Sequence, residues 1–121
     1  MIALKRAYDP PAASDGHRIL VERLWPRGIK KAELALAGWN TEIAPSTGLR
    51  QWFSHDPAKW QEFKKRYFTE LRQHPQASAS LLAAARKGRV TLIFSSHDVE
   101  RNNATALKQY LDSRLRGKAA A

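Results

Sequence analysis

The chain has 121 residues, a length typical of one domain, and 43% of them are hydrophobic, which is enough for a buried core. It contains no cysteine, so disulfides, thiolate metal sites and cysteine nucleophiles are excluded. The formal net charge is +10 at pH 7, and a field of that sign attracts nucleic acid, acidic proteins and phosphorylated small molecules.

The first third of the chain predicts two strands. Apolar and polar residues alternate over residues 2–8, and residues 9–16 have the composition of a turn. A second strand, rich in Ile, Leu and Val, is expected over residues 17–25, where Trp25-Pro26-Arg27-Gly28 stops it. From Lys30 the pattern becomes helical, with an imperfect period that indicates a short helix.

Two helices are predicted in the middle of the chain. Ser46 is a candidate N-cap for a brief helix that holds Leu49, Trp52 and Phe53. Asp56 is a candidate N-cap for a longer helix, and Pro57 suits the first helical position. Apolar residues recur at helical spacing along this second helix, at Trp60, Phe63, Tyr67 and Leu71.

The last third predicts a helix, a strand and a final helix. A helix over residues 75–87 ends at Gly88, and the apolar run at residues 89–96 is typical of a fully buried strand. The last helix is expected to begin near Asp98 and to bury Leu107, Tyr110, Leu111 and Leu115.

This alternation of strands and helices predicts an α/β fold, because parallel strands are joined by helical crossovers. We expect a single small domain over residues 1–116, with a short, mostly parallel sheet of three or four strands flanked by helices. Residues 117–121 are expected to form a frayed tail.

Two polar clusters follow predicted strands, and ligands of open α/β sheets bind beyond the carboxyl ends of strands. The first cluster comes after the second strand and comprises Arg23, Trp25, Arg27 and Gly28. The second comes after the last strand and into the last helix, and comprises Ser95, Ser96, His97, Asp98, Asn102 and Asn103. If the two strands are parallel neighbours, the clusters face each other across one crevice.

The side chains of these clusters suit an anionic, phosphate-bearing small molecule. Arginine presents a charged fork of donors that matches phosphate, and the free N–H groups of a helix start add a second anion-binding wall. The predicted ligand-binding residues are Arg18, Arg23, Trp25, Arg27, Ser95, Ser96, Asn102 and Asn103. Whether the ligand is also transformed stays open; the candidate proton acceptors are His97 and Asp98.

Each of these residues also has a structural interpretation. Trp25 is more often a packing residue than a ligand platform, and Arg23 could pair with a nearby carboxylate and hold the first loop. The run from Ser95 to Asp98 could be a plain capping turn. A Ser96–His97–Asp98 triad is discounted, because adjacent residues on one turn do not form the nucleophile–base–orienter chain.

Two other functions remain open. The first is nucleic-acid binding through the basic surface, with candidate contacts at Lys30, Lys31, Arg50, Lys64, Lys65 and Arg66. The second is a protein-interaction module without a small ligand, which would expose an apolar patch. The oligomeric state is left undecided.

No cofactor or metal is expected. The four histidines are scattered without metal-ligand spacing, and the single glycine of "LWPRGIKK" does not make a phosphate-binding loop. The start of the chain lacks the apolar core of a signal peptide, and no apolar run approaches membrane-spanning length. We therefore expect a cytoplasmic protein with no membrane partner.

Several motifs occur together over about residues 4–115: "SDGHRILVERLWPRGIKK", "APSTGLRQWFSHDPAKWQEFKKRYFTEL" and "LIFSSHDVERNNATALKQYL". In this combination the chain resembles the YeaO-like branch of the domain of unknown function 488 family. The resemblance implies a compact α/β bacterial domain and no particular reaction, with the run from Arg23 to Gly28 as the family's hallmark.

The chain departs from the family pattern at three places. Glu22 stands where Asp is typical, and His97 stands where relatives often carry Lys. More distant relatives have Cys-His-Arg where this chain has Asn102, Asn103 and Ala104. Any thiol chemistry of those relatives therefore cannot operate here.

Overall fold

Four parallel strands form one sheet in the order β1-β4-β2-β3. The strands are β1 (Ile2–Arg6), β2 (His17–Leu20), β3 (Gly38–Trp39) and β4 (Val90–Phe94). The computed structural model describes residues 1–120, and it describes side chains through Gly117. The parallel sheet confirms the predicted α/β class.

Within residues 1–120, five α-helices complete the fold: α1 (Lys31–Leu34), α2 (Thr47–Phe53), α3 (Trp60–Gln73), α4 (Pro75–Lys87) and α5 (Asn103–Ala120). The predicted caps are confirmed, because the Ser46 hydroxyl accepts a hydrogen bond from the Leu49 N–H at 3.2 Å. The Asp56 carboxylate likewise accepts from the Ala58 N–H at 3.0 Å, in a 3-10 turn that leads into α3. Most of the predicted tail, residues 117–121, lies outside the residues described with side chains.

Three predicted boundaries were wrong. Strand β2 ends at Leu20 rather than at Trp25, and the chain bends over residues 22–24. Strand β3 lies inside the region predicted as helical, because α1 stops after four residues at Ala35, whose φ is 51°. Helix α5 begins at Asn103, since the Asn102 amide oxygen accepts from the Thr105 N–H and caps it.

The two faces of the sheet are covered differently. The larger core lies on one face, where α4 and α5 pack on the strands and the predicted apolar stripe of α3 is buried. A smaller cluster lies on the other face, where residues of the β2–β3 connection cover Leu20 and Ile93. Strand β4 is buried throughout, because its side chains point alternately into both clusters.

This covering creates a switch point between two neighbouring strands. The chain after β2 passes over the face with the small cluster, and the chain after β4 returns as α5 on the face with the large core. Crevices at such points, outside the carboxyl ends of the strands, are the usual ligand positions of α/β sheets. The carboxyl edge of the sheet is therefore where a site is expected.

Candidate functional site

The chain after β2 contacts the second predicted cluster through Glu22 and Val21, which belong to neither predicted cluster. The Ser95 hydroxyl donates to Glu22 Oε1 at 2.7 Å, and the Ser95 N–H donates to Glu22 Oε2 at 3.3 Å. The Asn103 side-chain amide donates to the Val21 carbonyl at 2.9 Å. A carboxylate of the protein itself thus occupies the junction between β2 and β4, where the sequence predicted a ligand anion.

The loop after β4 forms several hydrogen bonds within itself. The Ser96 hydroxyl accepts from the Asp98 N–H at 3.1 Å, and Asp98 Oδ1 accepts from the N–H groups of Glu100 and Arg101 at 3.0 and 2.9 Å. These bonds, with that from Arg101 as the largest cause, hold the pKa of Asp98 below its usual value. Asp98 is therefore a weak base that caps a turn.

Arg6 is a member of this edge that the sequence reasoning missed. Its Nε donates to the Ser96 carbonyl at 2.8 Å, and its Nη2 donates to the Ser95 carbonyl at 3.1 Å. The same Nη2 lies 3.4 Å from His97 Nδ1. Arg6 ends β1, so its place at the carboxyl end of a parallel strand was the signal that could have identified it.

The structure does not bring Arg18 to the carboxyl edge. Arg18 is 4% exposed, and its Nη1 donates to Asp15 Oδ2 at 2.6 Å. Its Nε and Nη2 donate to the Leu34 carbonyl, and Lys5 contacts the same Asp15 carboxylate at 3.0 Å. A hydrogen bond from the Ala12 N–H, followed by those from Lys5 and Arg18, lowers the pKa of Asp15 to about 2 against the opposing effect of burial.

Trp25 and Arg27 lie on the small-cluster side of the edge. The Trp25 Nε1 donates to the Ile29 carbonyl at 2.7 Å, and its ring packs edge-to-face on Trp39 with centroids 5.4 Å apart. Arg27 is exposed, and its carbonyl accepts from the Tyr8 hydroxyl at 3.2 Å. Gly28 has a φ of 77°, as its turn position predicted.

Arg23 lines a cleft at the carboxyl ends of β2 and β3. The cleft has a volume of about 500 Å³, and it is also lined by Tyr67 and Glu70 of α3 and by Ala77 of α4. Arg23 is exposed, and its Nε donates to the Pro45 carbonyl at 3.0 Å. Among the described residues, its Nη1 and Nη2 groups have no hydrogen-bond partner and no carboxylate lies within 4.0 Å.

Opposite charges line this cleft. The Glu70 carboxylate accepts from the Ser46 N–H at 2.9 Å and from the Ser46 hydroxyl at 2.6 Å. The Tyr67 hydroxyl donates to the Ile43 carbonyl at 2.6 Å. Burial raises the pKa of Tyr67 strongly, the charge of Glu70 raises it further, and the charge of Arg23 acts against both. The charges of Arg23 and Glu70, which line the same cleft, thus have opposite effects on the pKa of the Tyr67 hydroxyl.

The carboxyl edge also carries exposed apolar side chains. Each follows or ends a different strand of the sheet, and together they are Tyr8, Leu24, Trp39 and Val99. A contiguous apolar patch marks a surface that binds other molecules, whereas single exposed apolar side chains are ordinary.

Two of the basic residues of α3 contact polar side chains of the protein. Lys64 donates to the Gln109 side chain at 3.3 Å, and Arg66 pairs with Glu62 at 2.9 Å. The aromatic residues between these cations are buried in the large core, as the sequence predicted. Within residues 1–120, none of the helices combines the length and apolar character that crossing a bilayer requires.

Comparison with known proteins identifies the family. A family model described as "Inactive DUF488-N3 subclade" matches residues 1–121. The chain belongs to this family. The predicted resemblance to the domain of unknown function 488 is therefore confirmed, and the parallel sheet described above is the fold of a DUF488 domain.

Relatives of this DUF488 chain occur in bacteria. It is 46% identical over 112 residues to "Uncharacterized protein YeaO" of Escherichia coli K12, a match covering 93% of this chain and 97% of that protein. It is 36% identical over 114 residues to "Uncharacterized protein Rv3073c" of Mycobacterium tuberculosis H37Rv and to "Uncharacterized protein Mb3100c" of Mycobacterium bovis. Each of these two matches covers 93% of this chain and 95% of the relative. No solved structure matches the chain significantly.

Proposed function

We propose that this DUF488 protein binds a small anionic ligand, such as a phosphate-bearing molecule, in the cleft lined by Arg23. The observation that carries the proposal is the state of the Arg23 guanidinium, which stands exposed in a cleft at the carboxyl ends of two strands. One of its five N–H donors is used, by the Pro45 carbonyl. The remaining fork has the geometry that suits phosphate and carboxylate groups.

The proposed position differs from the crevice expected from the sequence. That crevice lay between β2 and β4, where Glu22 now holds Ser95 and would repel a second anion. The Arg23 cleft lies on the other side of β2, next to the loop that follows β3. The proposed ligand class is the same as the one expected from the sequence, but the proposed site lies between β2 and β3 instead of between β4 and β2.

The geometry argues against Asp98 as a catalytic base. Asp98, one of the two candidate proton acceptors, has a lowered pKa and serves as a turn cap, so that it is a poor general base near neutral pH. The description "inactive" for the matching subclade agrees with a binding role.

The test is a thermal-shift and calorimetry screen of the wild type, Arg23→Gln and the control Arg86→Gln. Arg86 is an exposed arginine near the end of α4, outside the cleft, so that both variants lose one positive charge. The ligands are inorganic phosphate, sugar phosphates, nucleotides, and short DNA and RNA at two salt concentrations. A ligand at about a hundred times its Kd stabilises the folded state by roughly 2.7 kcal/mol.

We expect at least one small anion to stabilise the wild type and Arg86→Gln, and to lose most of its effect on Arg23→Gln. Equal shifts for Arg23→Gln and the wild type would contradict the proposal, as would the absence of any shift. Stabilisation by oligonucleotides alone, at low salt alone, would favour the nucleic-acid alternative instead, because phosphate contacts weaken steeply as salt rises.

The exposed apolar side chains support a second candidate, a protein-binding role for the carboxyl edge. Leu24 and Val99 follow neighbouring strands and are 65% and 55% exposed. A partner that uses this surface should be recovered by the wild type as bait and lost with the double variant Leu24→Asn, Val99→Asn. Recovery of the same proteins by both baits would exclude this surface.

A further inference from the structure

We propose that the ligand of the Arg23 cleft is a zwitterion, a small molecule that carries a cationic amine as well as its anionic group. The inference rests on the proposed function and deepens it. It is carried by the juxtaposition of Arg23 with Glu70 and Glu42 around one cleft of about 500 Å³.

The opposite charges in this cleft do not neutralise each other. Among the described residues, no ion pair within 4.0 Å joins Arg23 to Glu42 or Glu70, although all three line the same cleft. A ligand with an anionic and a cationic end can contact Arg23 and a carboxylate at once. A purely anionic ligand would instead meet Arg23 while being repelled by two carboxylates.

Glu70 is held ready for such a contact. Each of its oxygens accepts one hydrogen bond from Ser46, and Ser46 is itself fixed as the N-cap of α2. A carboxylate oxygen has two lone pairs, so each Glu70 oxygen keeps one acceptor position. Because the side chain is already ordered, an amine that binds it costs little additional conformational entropy.

Part of the lining of the cleft is apolar. Four largely buried side chains line it beside the charged groups, namely Ile43, Ala44, Leu71 and Ala77. Short aliphatic spacers bury well against such surface, whereas a free charge does not. The expected ligand is therefore a small amino acid or an aminoalkyl phosphate rather than a bare inorganic anion.

Matched probes test this inference by calorimetry with the wild type. Each zwitterion is compared with the anion that lacks its amine: phosphoethanolamine with ethyl phosphate, and 4-aminobutyrate with butyrate. We expect the zwitterion of at least one pair to bind about tenfold or more tightly than its anion, the range of one added charge-assisted hydrogen bond. The double variant Glu42→Gln, Glu70→Gln should bring the two affinities within about threefold.

Two controls separate binding from folding. Glu100→Gln removes an exposed carboxylate outside the cleft and should keep the wild-type preference. Circular dichroism and the unfolding temperature report whether the double variant is folded, and Arg23→Gln should weaken the binding of zwitterion and anion alike.

The outcomes distinguish this inference from the function on which it rests. If the anions bind the wild type as tightly as the zwitterions and depend on Arg23, the zwitterion inference is wrong and anion binding stands. A preference for zwitterions that survives Glu42→Gln, Glu70→Gln also overturns the inference. If no probe of either pair binds the wild type, the zwitterion inference is wrong, and the screen of phosphate, sugar phosphates and nucleotides decides on anion binding.

Discussion

Arg18 and Arg23 are five residues apart, and the structure places them in opposite environments. Arg18 is 4% exposed and donates to the Asp15 carboxylate and to backbone carbonyls. Arg23 is exposed and has one hydrogen bond, to the Pro45 carbonyl. The comparison teaches that an arginine can bind a ligand only where the fold leaves some of its N–H donors unused, because most buried donors are bonded to partners within the protein.

The Asp15 cluster, defined as Lys5, Asp15 and Arg18, has a structural role. It lies on the face of the sheet with the small core, and the Thr91 hydroxyl donates to the Asp15 carbonyl at 2.7 Å. The cluster joins β1, β2, β4 and the turn before β2. The side chains of the Arg23 cleft do not join strands in this way, and the Arg23 guanidinium keeps donors that a ligand can use.

The largest expected effect is on stability, from Arg18→Gln. Removing one partner of a buried ion pair leaves the Asp15 carboxylate with reduced compensation and the Leu34 carbonyl without its donor. We expect a loss of about 3–5 kcal/mol in the free energy of unfolding, measured by urea denaturation. A loss under about 1 kcal/mol would mean that the cluster is not a structural clamp.

The next effect is a pH dependence that belongs to the Asp15 cluster. The folded-state pKa of Asp15 is about 2, below its ordinary 3.8, so the unfolded chain binds more protons between these values. The stabilisation is therefore complete above about pH 4 and is lost as the pH falls towards 2.

The wild type and Asp15→Asn should accordingly differ most in unfolding free energy at pH 5, and this difference should shrink by roughly 2 kcal/mol at pH 2. Urea denaturation at several pH values measures it. A difference that stays constant over this range would contradict the lowered pKa of Asp15.

A smaller effect is expected at the junction between the two strand ends. Ser95→Ala removes the donor to Glu22 Oε1 and should cost about 1–2 kcal/mol, because the bond is charge-assisted and partly buried. A double-mutant cycle with Glu22→Gln should show a coupling between the two positions. Additive effects would mean that Glu22 does not hold the β4 loop.

The smallest effect on stability should come from Arg23→Gln. The side chain is exposed and makes one hydrogen bond, so we expect a change within about 0.5 kcal/mol. The same variant should lose ligand binding. Arg23→Gln is thus expected to change binding and not stability, whereas Arg18→Gln is expected to change stability. A loss of several kcal/mol on urea denaturation would place Arg23 with the structural arginines and remove the basis of the proposed site.

Local patterns predicted the elements whose formation depends on nearby residues. Ser46 and Asp56 are caps because their side chains reach backbone N–H groups within three residues. The buried stripe of α3 and the fully buried β4 also followed from periodicity and composition. Strand β3 could not be found in this way, because two residues form a strand only when a neighbour pairs with them.

The sequence by itself determined the α/β class, the family, most of the helices and the arginine-rich carboxyl edge of the sheet. Only the tertiary structure decided that Glu22 closes the junction between β2 and β4, that Arg18 is buried and that Arg23 opens into a cleft. The physical reason is the distance along the sequence between interacting residues, because caps and periodicity depend on residues only a few positions apart. Which donors remain unused depends on partners such as Ser95 and Pro45, 73 and 22 residues away from the groups they bind.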